Sequence, residues 1–453
     1  MISTVRLFCV SMFVAGISGV WASEHDAPEQ SADDNNREES SEDVQSFQSL
    51  QEVRRRALEH NPKFRSLWRG WQRAVRKVES AGTLPDPKLS YGNFLQSVET
   101  RVGPQEQKVG LSQKFPWFGK LDLKEEKAHK MAVAARYRYK QAKLHIDFKV
   151  KDAYYDYFYL GRSIAITEEH VKLLKQLESV ARTSYEGGGT MSPVVRTQVE
   201  TGKLEDRLQS LQDRRDAVLG RLNAAMDRPS DAPVAWPESI SKHPSPPSVS
   251  RLHQVLRKRS PALNRLTALT EKADTAVDLA EKQFWPDVKL GVNYVDTGSA
   301  VMSGVDDSGK DPVIAMVSIN LPIWQGKYKA DKQAAVQKRK ATEERRQNIR
   351  RTLESRLTKA LYKYRDAERK IDLYRDTLIP KAEQELNVSR QAFESGEEDF
   401  LSLVDAERSL LQFKLSFEKA RAERERQLAK IEMITGRSLQ ALNKKENKKE
   451  TNK

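Results

Sequence analysis

The sequence is a tandem duplication, because four short motifs of its first half recur in the second half in the same order. Residues 61–62 (NP), 84–89 (LPDPKL), 115–120 (FPWFGK) and 185–188 (YEGG) correspond to residues 260–261 (SP), 285–290 (WPDVKL), 321–327 (LPIWQGK) and 393–396 (FESG). The separation grows from 199 to 208 residues along the chain, which indicates small insertions. A repeat of this kind predicts one structural unit used twice. We place repeat 1 at residues 47–228, a Pro/Ser-rich linker at 229–250 and repeat 2 at 251–437.

Each repeat contains a long stretch with the pattern of a packed helix. Apolar residues between Leu160 and Tyr185 recur at intervals of three, four or seven, which is typical of a helix that packs along one face. Residues 120–182 run for 63 residues without proline, enough for a helix about 95 Å long at about 1.5 Å per residue. The equivalent residues 327–394 contain only Pro380, where we expect a kink and an unpaired carbonyl. Helices of this length must pack against each other and against neighbouring subunits.

Between the helices, each repeat contains two stretches in which apolar and polar residues alternate, as in strands. The predicted strands are about residues 88–98 and 107–115 in repeat 1, and 287–296 and 312–321 in repeat 2. At about ten residues each, tilted strands of this length cross an outer membrane. Aromatic residues cluster at one end of the hairpins, as in an interfacial girdle: Phe115, Trp117, Phe284, Trp285 and Trp324. Taken alone, the strands also fit a soluble hairpin with one buried face.

Four strands cannot close a barrel wide enough to conduct a solute. Open sheet edges are not tolerated in lipid. If these strands are embedded in a membrane, the chain must therefore oligomerise, and three copies would supply twelve strands.

The N-terminal residues predict export. Arg6 precedes an apolar run over residues 7–20 and a small-residue pattern at 20–22, so residues 1–22 are interpreted as a signal peptide. The run of 14 residues is shorter than the roughly 20 that a membrane-spanning helix needs. Cys9 is the only cysteine and lies inside this run, so the exported chain would have no disulfide.

Charge is distributed unevenly along the chain. Residues 23–46 carry nine acidic residues and one arginine, and residues 438–453 form a basic tail; we expect both segments to be disordered. The formal net charge of +14 could indicate nucleic acid as a partner. Export excludes that partner, and acidic and basic residues alternate along the helices as on a solvated face.

The sequence shows no cluster of catalytic, metal-ligating or phosphate-binding residues. The seven histidines are scattered, and His170, which follows two glutamates, has no second ligand nearby, so a surface or packing role is favoured. Residues 187–189 (GGG) are not followed by the Lys-Ser/Thr pair of a phosphate loop. We therefore predict no catalytic residues, no metal site and no cofactor, and the protein is not expected to be an enzyme.

The order and spacing of these motifs resemble the TolC family of outer-membrane efflux proteins, nearest to its heavy-metal efflux branch. The motifs that carry the resemblance are residues 57–62 (ALEHNP), 84–87 (LPDP), 117–120 (WFGK), 379–383 (IPKAE), 393–396 (FESG), 399–401 (DFL) and 405–406 (DA). The resemblance covers nearly the whole exported chain. It implies a fold that is mainly α with a β-barrel portion: a trimeric long α-helical barrel continued by a 12-stranded transmembrane β-barrel, four strands per chain, built from two structural repeats.

The resemblance also implies a place and partners. The chain would be a homotrimeric channel in the outer membrane of a Gram-negative bacterium, contacting lipid and extending into the periplasm. There it would meet a periplasmic adaptor (membrane fusion protein) and an inner-membrane efflux pump, of RND type by the same resemblance. It would be a passive conduit for exported substrates, with metal cations among the candidates.

The resemblance implies two sets of site residues. The hairpin tips that face the adaptor would contain Gly187, Gly188, Gly189, Ser395 and Gly396. Acidic residues would narrow the periplasmic entrance: Asp405 matches the family pattern, and Glu397, Glu398 and Asp399 are included by proximity. Acids gathered around a threefold axis repel each other and attract cations. The chain departs from the family at the tips, where an aspartate is replaced by Val194 and by Ser402, and a tyrosine by Phe393.

Two other classes of protein stay open on the sequence. A soluble periplasmic coiled-coil adaptor or structural protein would explain the long helices, but not two hairpins at the same place in both repeats. A basic nucleic-acid-binding coiled coil would explain the charge, but not the signal peptide.

Overall fold

Short capped helices open both repeats. The first helix, α1 (Leu50–His60), begins at a capping box in which Ser49 and Glu52 satisfy each other's backbone amides. Asn61 then ends α1 and caps the next helix, in which Pro62 is the first residue; proline is tolerated there because that amide needs no partner. Ser260 and Pro261 stand at the same boundary between the corresponding helices of repeat 2, where Ser260 makes no side-chain capping bond. The repeated NP/SP motif is therefore a helix boundary.

The computed structural model describes residues 49–240, 243–395, 397 and 399–438. The predicted signal peptide, the acidic segment and all but the first residue of the basic tail lie outside these residues. The elements after α1 are α2 (Pro62–Ala81), β1 (Lys88–Asn93), β2 (Glu99–Thr100), β3 (Gly103–Phe115), α3 (Lys120–Glu186), α4 (Ser192–Met226), α5 (Val249–Arg259), α6 (Pro261–Lys282), β4 (Val288–Thr297), β5 (Val313–Ile319), α7 (Gln325–Leu373), a π-helical turn (Tyr374–Leu378), α8 (Ile379–Glu394) and α9 (Phe400–Thr435).

The long helices expected from the sequence are present. Helix α3 is continuous over 67 residues. In repeat 2 the corresponding run divides into α7, the π-helical turn and α8, with Pro380 as the second residue of α8. The amide of Ile379 donates to the carbonyl of Tyr374, five residues back. The break expected at Pro380 thus takes the form of one widened turn, which accommodates a residue that has no amide hydrogen.

Helix α3 is the centre of the helical part, and it packs against α2, α4, α6 and α9, while α7 packs against α6 and α9. Three apolar clusters hold these helices together. One joins α1, α2, α3 and α4, a second joins α3, α4 and α9, and a third joins α5, α7 and α9. Burial is therefore distributed along the helices, as expected for rods that cannot form a central core.

The four main strands form one antiparallel sheet in the order β1, β3, β4, β5. Strands β3 and β4 belong to different repeats, and they pair over ten registered positions from Gln105 opposite Thr297 to Phe115 opposite Val288. The two hairpins are thereby joined into a single sheet whose outer strands are β1 and β5. The predicted fold, mainly α with a smaller β portion and two structural repeats, is confirmed.

The strand boundaries differ from those predicted. Strand β1 ends at Asn93, not at residue 98, because the chain bends out of the ladder to let β2 pair with the start of β3. Strand β3 begins at Gly103, not at residue 107. Gly103 has φ +131°, and a Cβ there would lie 1.7 Å from the carbonyl oxygen of Gly298, so only glycine fits this turn.

Strand β5 ends at Ile319, before the predicted residue 321. At Asn320 the side-chain oxygen, in place of the backbone carbonyl, accepts from the amide of Asp287 at 2.6 Å, while the Asn320 amide still donates to the Asp287 carbonyl at 3.3 Å. Pro322 follows, which has no amide to donate. The expectation of about ten residues per strand therefore holds for β3 and β4, with 13 and 10 residues, and is wrong for β1 and β5, with 6 and 7.

Candidate membrane sheet and hairpin tips

The sheet has one almost wholly apolar face. From the helix end of the sheet as far as Tyr294, the register places the following side chains on it, with Gln113 as the one polar member: Leu89, Tyr91, Val109, Leu111, Gln113, Phe115, Val288, Leu290, Val292, Tyr294, Val313, Ala315, Val317 and Ile319. The next registered positions on this face, Asn93, Gln107 and Asp296, are polar. This face is solvent-exposed in the single chain; Leu89 is 75% exposed and Val317 69%. Contiguous exposed apolar surface of this kind marks a membrane or protein contact.

The opposite face is mostly polar or small. It presents mostly lysine, serine, glycine and asparagine, and its three apolar members are Val295, Ile314 and Met316. The registered residues on this face are Lys88, Ser90, Gly92, Lys108, Gly110, Ser112, Lys114, Lys289, Gly291, Asn293, Val295, Ile314, Met316 and Ser318. A soluble hairpin would bury its apolar face and expose its polar face. Here the apolar face is exposed as well as most of the polar one, which is the pattern of a transmembrane strand with lipid on one side and a polar lumen on the other.

A buried ion pair joins the two repeats where the sheet meets the helices. Lys120, the first residue of α3, is 2% exposed, and its Nζ lies 2.7 Å from Oδ1 of Asp287. The same Nζ donates to the carbonyl oxygen of Trp285 at 2.8 Å, and the amide of Trp117 donates to Asp287 at 3.1 Å. Lys114 approaches the second carboxylate oxygen of Asp287 at 2.9 Å. We call this set the junction node.

Aromatic stacking covers the junction node. The rings of Trp117 and Trp285 stack with centroids 5.4 Å apart, and Phe284 lies against Tyr328. Trp324, which corresponds to Trp117 in the second repeat, is 75% exposed. Sequence reasoning grouped the aromatic residues but missed the ion pair. The pair could have been predicted from the duplicated Pro-Asp and Gly-Lys motifs. Each motif places a charged residue at a junction between a helix and a strand, where Asp287 and Lys120 meet.

The two helical hairpin tips share two equivalent backbone hydrogen bonds among the described residues. In the first, the amide of Gly187 donates to the carbonyl of Thr183 and the amide of Gly189 to Ser184, while Gly188 has φ +96°. In the second, Ser395 donates to Gln391 and Glu397 to Ala392. The two patterns are offset by the same 208 residues that relate the repeats there. Gly396 and Glu398 lie outside the described residues.

The acidic residues predicted at the entrance differ in their surroundings. Glu397 and Asp399 are exposed in the turn between α8 and α9. Asp405 lies one turn into α9, 58% exposed by its side chain, and its carboxylate is 3.2 Å from Arg408. Arg408 also reaches Glu200 of α4 at 2.5 Å. Asp405 is therefore part of a charged cluster with Arg408 and Glu200, which sequence reasoning did not include.

Charge pairing shifts the ionisation of this cluster. Burial by itself raises the pKa of Glu200, but hydrogen bonds from Arg408 and Lys203 outweigh burial and hold the pKa below its usual value. The hydrogen bond to Glu200 raises the pKa of Arg408. Glu200 is thus charged over the whole physiological pH range, and Arg408 is shared between two carboxylates.

Apolar packing explains the departures from the family pattern at the tips. Val194, which stands where the family has an aspartate, is 2% exposed and belongs to the apolar cluster of α3, α4 and α9. Phe393 packs edge-on against the buried Phe400, with ring centroids 5.1 Å apart. Each tip is therefore held together by side-chain burial within the chain.

His170 is a packing residue paired with a distant acid. It is 1% exposed, and its Nδ1 lies 2.7 Å from Oε1 of Glu407, which is 2% exposed. The pair links α3 to α9. In the part of the chain that the structure describes, no cluster of three or more potential metal ligands occurs. Nor does any helix among those residues contain a stretch long and apolar enough to cross a membrane.

Comparison with known proteins identifies the fold. Residues 252–437 match the family model for outer membrane efflux protein. A membrane protein from Pseudomonas aeruginosa has a TM-score of 0.75 at 17% identity, with 87% of this chain and 92% of that chain covered. The outer membrane protein VceC from Vibrio cholerae has a TM-score of 0.72 at 16% identity, with coverage of 86% and 96%. The CusC channel has a TM-score of 0.74 at 15% identity, with 87% of this chain and 94% of that chain covered.

Comparison with curated proteins gave no match to the chain. The matched family is one of outer membrane proteins, in agreement with the localisation predicted from the sequence. The recognition made from the repeated motifs is confirmed: the second repeat matches the outer membrane efflux protein family, and the chain as a whole has the fold of the TolC-like outer-membrane channels.

Proposed function

We propose that this protein is the outer-membrane channel of a tripartite efflux system and acts as a homotrimer. It provides a passive conduit, with transport energy supplied by an inner-membrane pump of RND type through a periplasmic adaptor. The observation that carries the proposal is the single sheet with an exposed apolar face and a polar opposite face. That pattern favours a lipid-facing wall with a polar lumen over a soluble adaptor.

The sheet edges support oligomerisation. Strands β1 and β5 each pair on one side only within the described chain. Four strands cannot enclose a lumen, and unpaired backbone groups are costly in lipid. Pairing of β5 in one copy with β1 in the next removes both edges, and three copies close twelve strands.

The hairpin tips support an adaptor at the opposite end of the long helices. Both turns contain serine and glycine in their sequence, their described residues are exposed, and they share two equivalent backbone hydrogen bonds, so three copies would present six similar turns to a partner. The acids near them, Glu397, Asp399 and Asp405, would set the charge of the entrance. An acidic entrance favours cationic cargo. Together with the resemblance to the heavy-metal branch, this makes metal cations the first cargo class to test.

Adjacent residues of β3 provide a test of membrane insertion. Leu111 lies on the apolar face and Ser112 on the polar face. Lysine on a lipid face costs about 2–4 kcal/mol near the bilayer midplane, so Leu111→Lys should sharply reduce recovery in the outer-membrane fraction. Ser112→Lys adds the same charge on the lumen side and should be tolerated. Release of the wild-type protein without detergent, or equal tolerance of both variants, would contradict the proposal.

Cargo is tested separately in cells. A strain lacking the protein should become more sensitive to the exported compounds, and growth in divalent metal salts and in cationic dyes compares the two classes. Increased sensitivity to metals alone supports metal export. Increased sensitivity to dyes alone assigns the channel to organic compounds instead.

A further inference from the structure

The two residues that correspond to the ion pair of the junction node in the other repeat are not paired with each other. By the duplication, Asp86 corresponds to Asp287, and Lys327 corresponds to Lys120. Asp287 and Lys120 are paired and largely buried. Asp86 and Lys327 are both exposed, and neither forms an ion pair with any residue that the structure describes. The same two charges that close the junction between repeats therefore lack an ion-pair partner at the outer edges of the chain, where the Lys327 ammonium lies 5.7 Å from the centroid of the Tyr328 ring.

Asp86 and Lys327 cannot meet within one chain. Asp86 precedes β1 and Lys327 follows β5, and these strands lie at opposite edges of the four-stranded sheet. Neighbouring strands are about 4.8 Å apart, so the two edges are separated by about 14 Å across the sheet. The two can pair with each other only if they belong to different copies of the chain.

We propose that Lys327 of one copy pairs with Asp86 of the neighbouring copy, forming an intermolecular junction node between β5 and β1. This inference rests on the proposed trimer. Within the chain, Lys120 follows β3 and reaches the aspartate that precedes β4, the strand paired with β3. If β5 pairs with β1 of a second copy, Lys327 stands in the same relation to Asp86. The ring of copies then alternates between an internal node and an intermolecular one.

The surrounding apolar residues repeat the pattern. Trp285 and Trp117 stack over the internal node. Their counterparts are Leu84, 47% exposed, and Trp324, 75% exposed. Packing of Trp324 against Leu84 of the next copy would cover the intermolecular node and remove both from water. Two unpaired charges of opposite sign and two exposed apolar side chains thus lie at complementary edges.

The duplication also predicts the strand register between copies. Gln113 lies opposite Leu290 in the internal pair. The corresponding residues are Ile319 and Leu89, so Ile319 should lie opposite Leu89 of the next copy, both on the apolar face. The match is not perfect, because α7 begins at Gln325, two residues before Lys327, whereas α3 begins at Lys120. The flexible lysine side chain accommodates this offset, and we expect the intermolecular pair to be more exposed than the internal one.

Charge exchange tests the node. Asp86→Lys and Lys327→Asp should each weaken the oligomer, giving about tenfold more monomer in detergent for three lost exposed pairs. The double variant restores opposite charges and should return the oligomer to near the wild-type fraction. Lys329→Asp changes the same charge two residues further along α7 and should leave the oligomer unchanged. Absence of rescue in the double variant, or equal weakening by Lys329→Asp, would overturn the node.

Disulfide cross-linking tests the register independently of the two charges. Cys9 is the only cysteine of the chain, so engineered pairs have little background. Leu89→Cys with Ile319→Cys should form cross-linked dimers and trimers under oxidation, whereas Leu89→Cys with Val313→Cys, displaced by six residues along β5, should not. If the cross-link forms but the double charge-exchange variant is not rescued, the proposed assembly stands and the intermolecular node is rejected. Failure of cross-linking in a folded, membrane-inserted protein rejects the assembly itself.

Discussion

Asp287 accepts hydrogen bonds from one buried lysine, one exposed lysine and one backbone amide at the point where the repeats meet. The nitrogens of Lys120 and Lys114 lie on different carboxylate oxygens, so the acid neutralises a cation that would otherwise be buried alone. At the scale of single residues, this is the contact that ties the sheet to the helices. Its energetic weight follows from burial, because a charge removed from water is costly unless it is paired.

Removal of Asp287 should be strongly destabilising. Asp287→Ala leaves the Lys120 cation buried without its counter-charge, and breaking a buried pair in this way costs about 3–5 kcal/mol. Lys114→Met removes a lysine whose side chain is 54% exposed, so its cost should stay below about 1 kcal/mol. Thermal unfolding in detergent compares the two variants. Equal loss in both would show that burial of Lys120 contributes little.

His243 introduces a pH-dependent contact between the linker and α9. Its Nδ1 lies 2.6 Å from Oε2 of Glu425, a carboxylate that is fully buried and also contacts Arg424. The hydrogen bond to Glu425 raises the pKa of His243, against the opposing effect of burial; Glu432 adds to the increase and Lys151 opposes it. The protonated ring is therefore favoured in the folded protein.

The stability contributed by His243 should decrease as the pH rises. Because the folded-state pKa is above the unfolded value of about 6.5, the contribution is complete below that pH and is lost as the pH passes through the raised value. His243→Gln keeps a polar side chain without a titrating proton. The wild type should exceed this variant in unfolding temperature most at pH 6 and least at pH 9. A constant difference over that range would rule out the titration of His243 as its source.

At the scale of elements, the linker between the repeats packs against helix α3. Trp236 stacks on Tyr157 of α3 with ring centroids 4.2 Å apart, and the hydroxyl of Tyr157 donates to the carbonyl of Val234 at 3.0 Å. Gly161, one turn further along α3, leaves room for the Trp236 ring. A glycine in the middle of a 67-residue helix is thus explained by close approach of another segment.

Gly161 and Gly202 should respond to alanine with opposite signs. Glycine to alanine within a helix ordinarily stabilises by about 1 kcal/mol. A Cβ at Gly161 would lie 2.7 Å from Cε3 of Trp236, so the substitution forces the stacked ring to move and should destabilise by about 1–3 kcal/mol. Gly202 in α4 has no such neighbour within 4 Å and should show the ordinary gain. Stabilisation by both variants in thermal unfolding would place Trp236 away from α3.

At the scale of the whole molecule, the duplication produces a chain whose helices pack on one another and whose sheet stays open. The three apolar clusters bury helix faces within the chain, whereas one face and two edges of the sheet have no partner among the residues that the structure describes. Two copies of the unit leave the backbone groups of the outer strands β1 and β5 unpaired on one side within the described chain. Assembly of several chains into a ring, as proposed above, would pair both edges. The hairpin tips would then lie together around the axis of that ring.

The charged cluster at the tips makes the entrance prediction specific. Asp405→Ala should reduce blockade by divalent cations in planar bilayers, because it removes one acid from each copy. Arg408→Ala should increase it, because Glu200 and Asp405 lose the cation that they share. Asp278→Ala removes an exposed acid of α6 and serves as the control. Unchanged single-channel conductance and blockade in Asp405→Ala would remove this residue from the entrance.

Much of the fold could be predicted because it depends on local pattern. Helical spacing, alternation and the order of the repeated motifs indicated the long helices, the four main strands and the two similar tips, and each is a property of neighbouring residues. Boundaries were less accurate where a distant group decided them. Strand β5 ends early because Asn320 binds the amide of Asp287, and β3 begins early because Gly103 passes close to Gly298.

By itself the sequence determined the duplicated architecture, since periodicity and turn residues act over a few positions and survive independently of what they pack against. Only the tertiary structure decided which charges are paired. Lys120 meets Asp287, His170 meets Glu407 and Arg408 joins Glu200 to Asp405, although the first two pairs are 167 and 237 residues apart in sequence. The strength of such a contact depends on a separation of a few ångströms and on the exclusion of water, and both arise only when the helices and the sheet have come together.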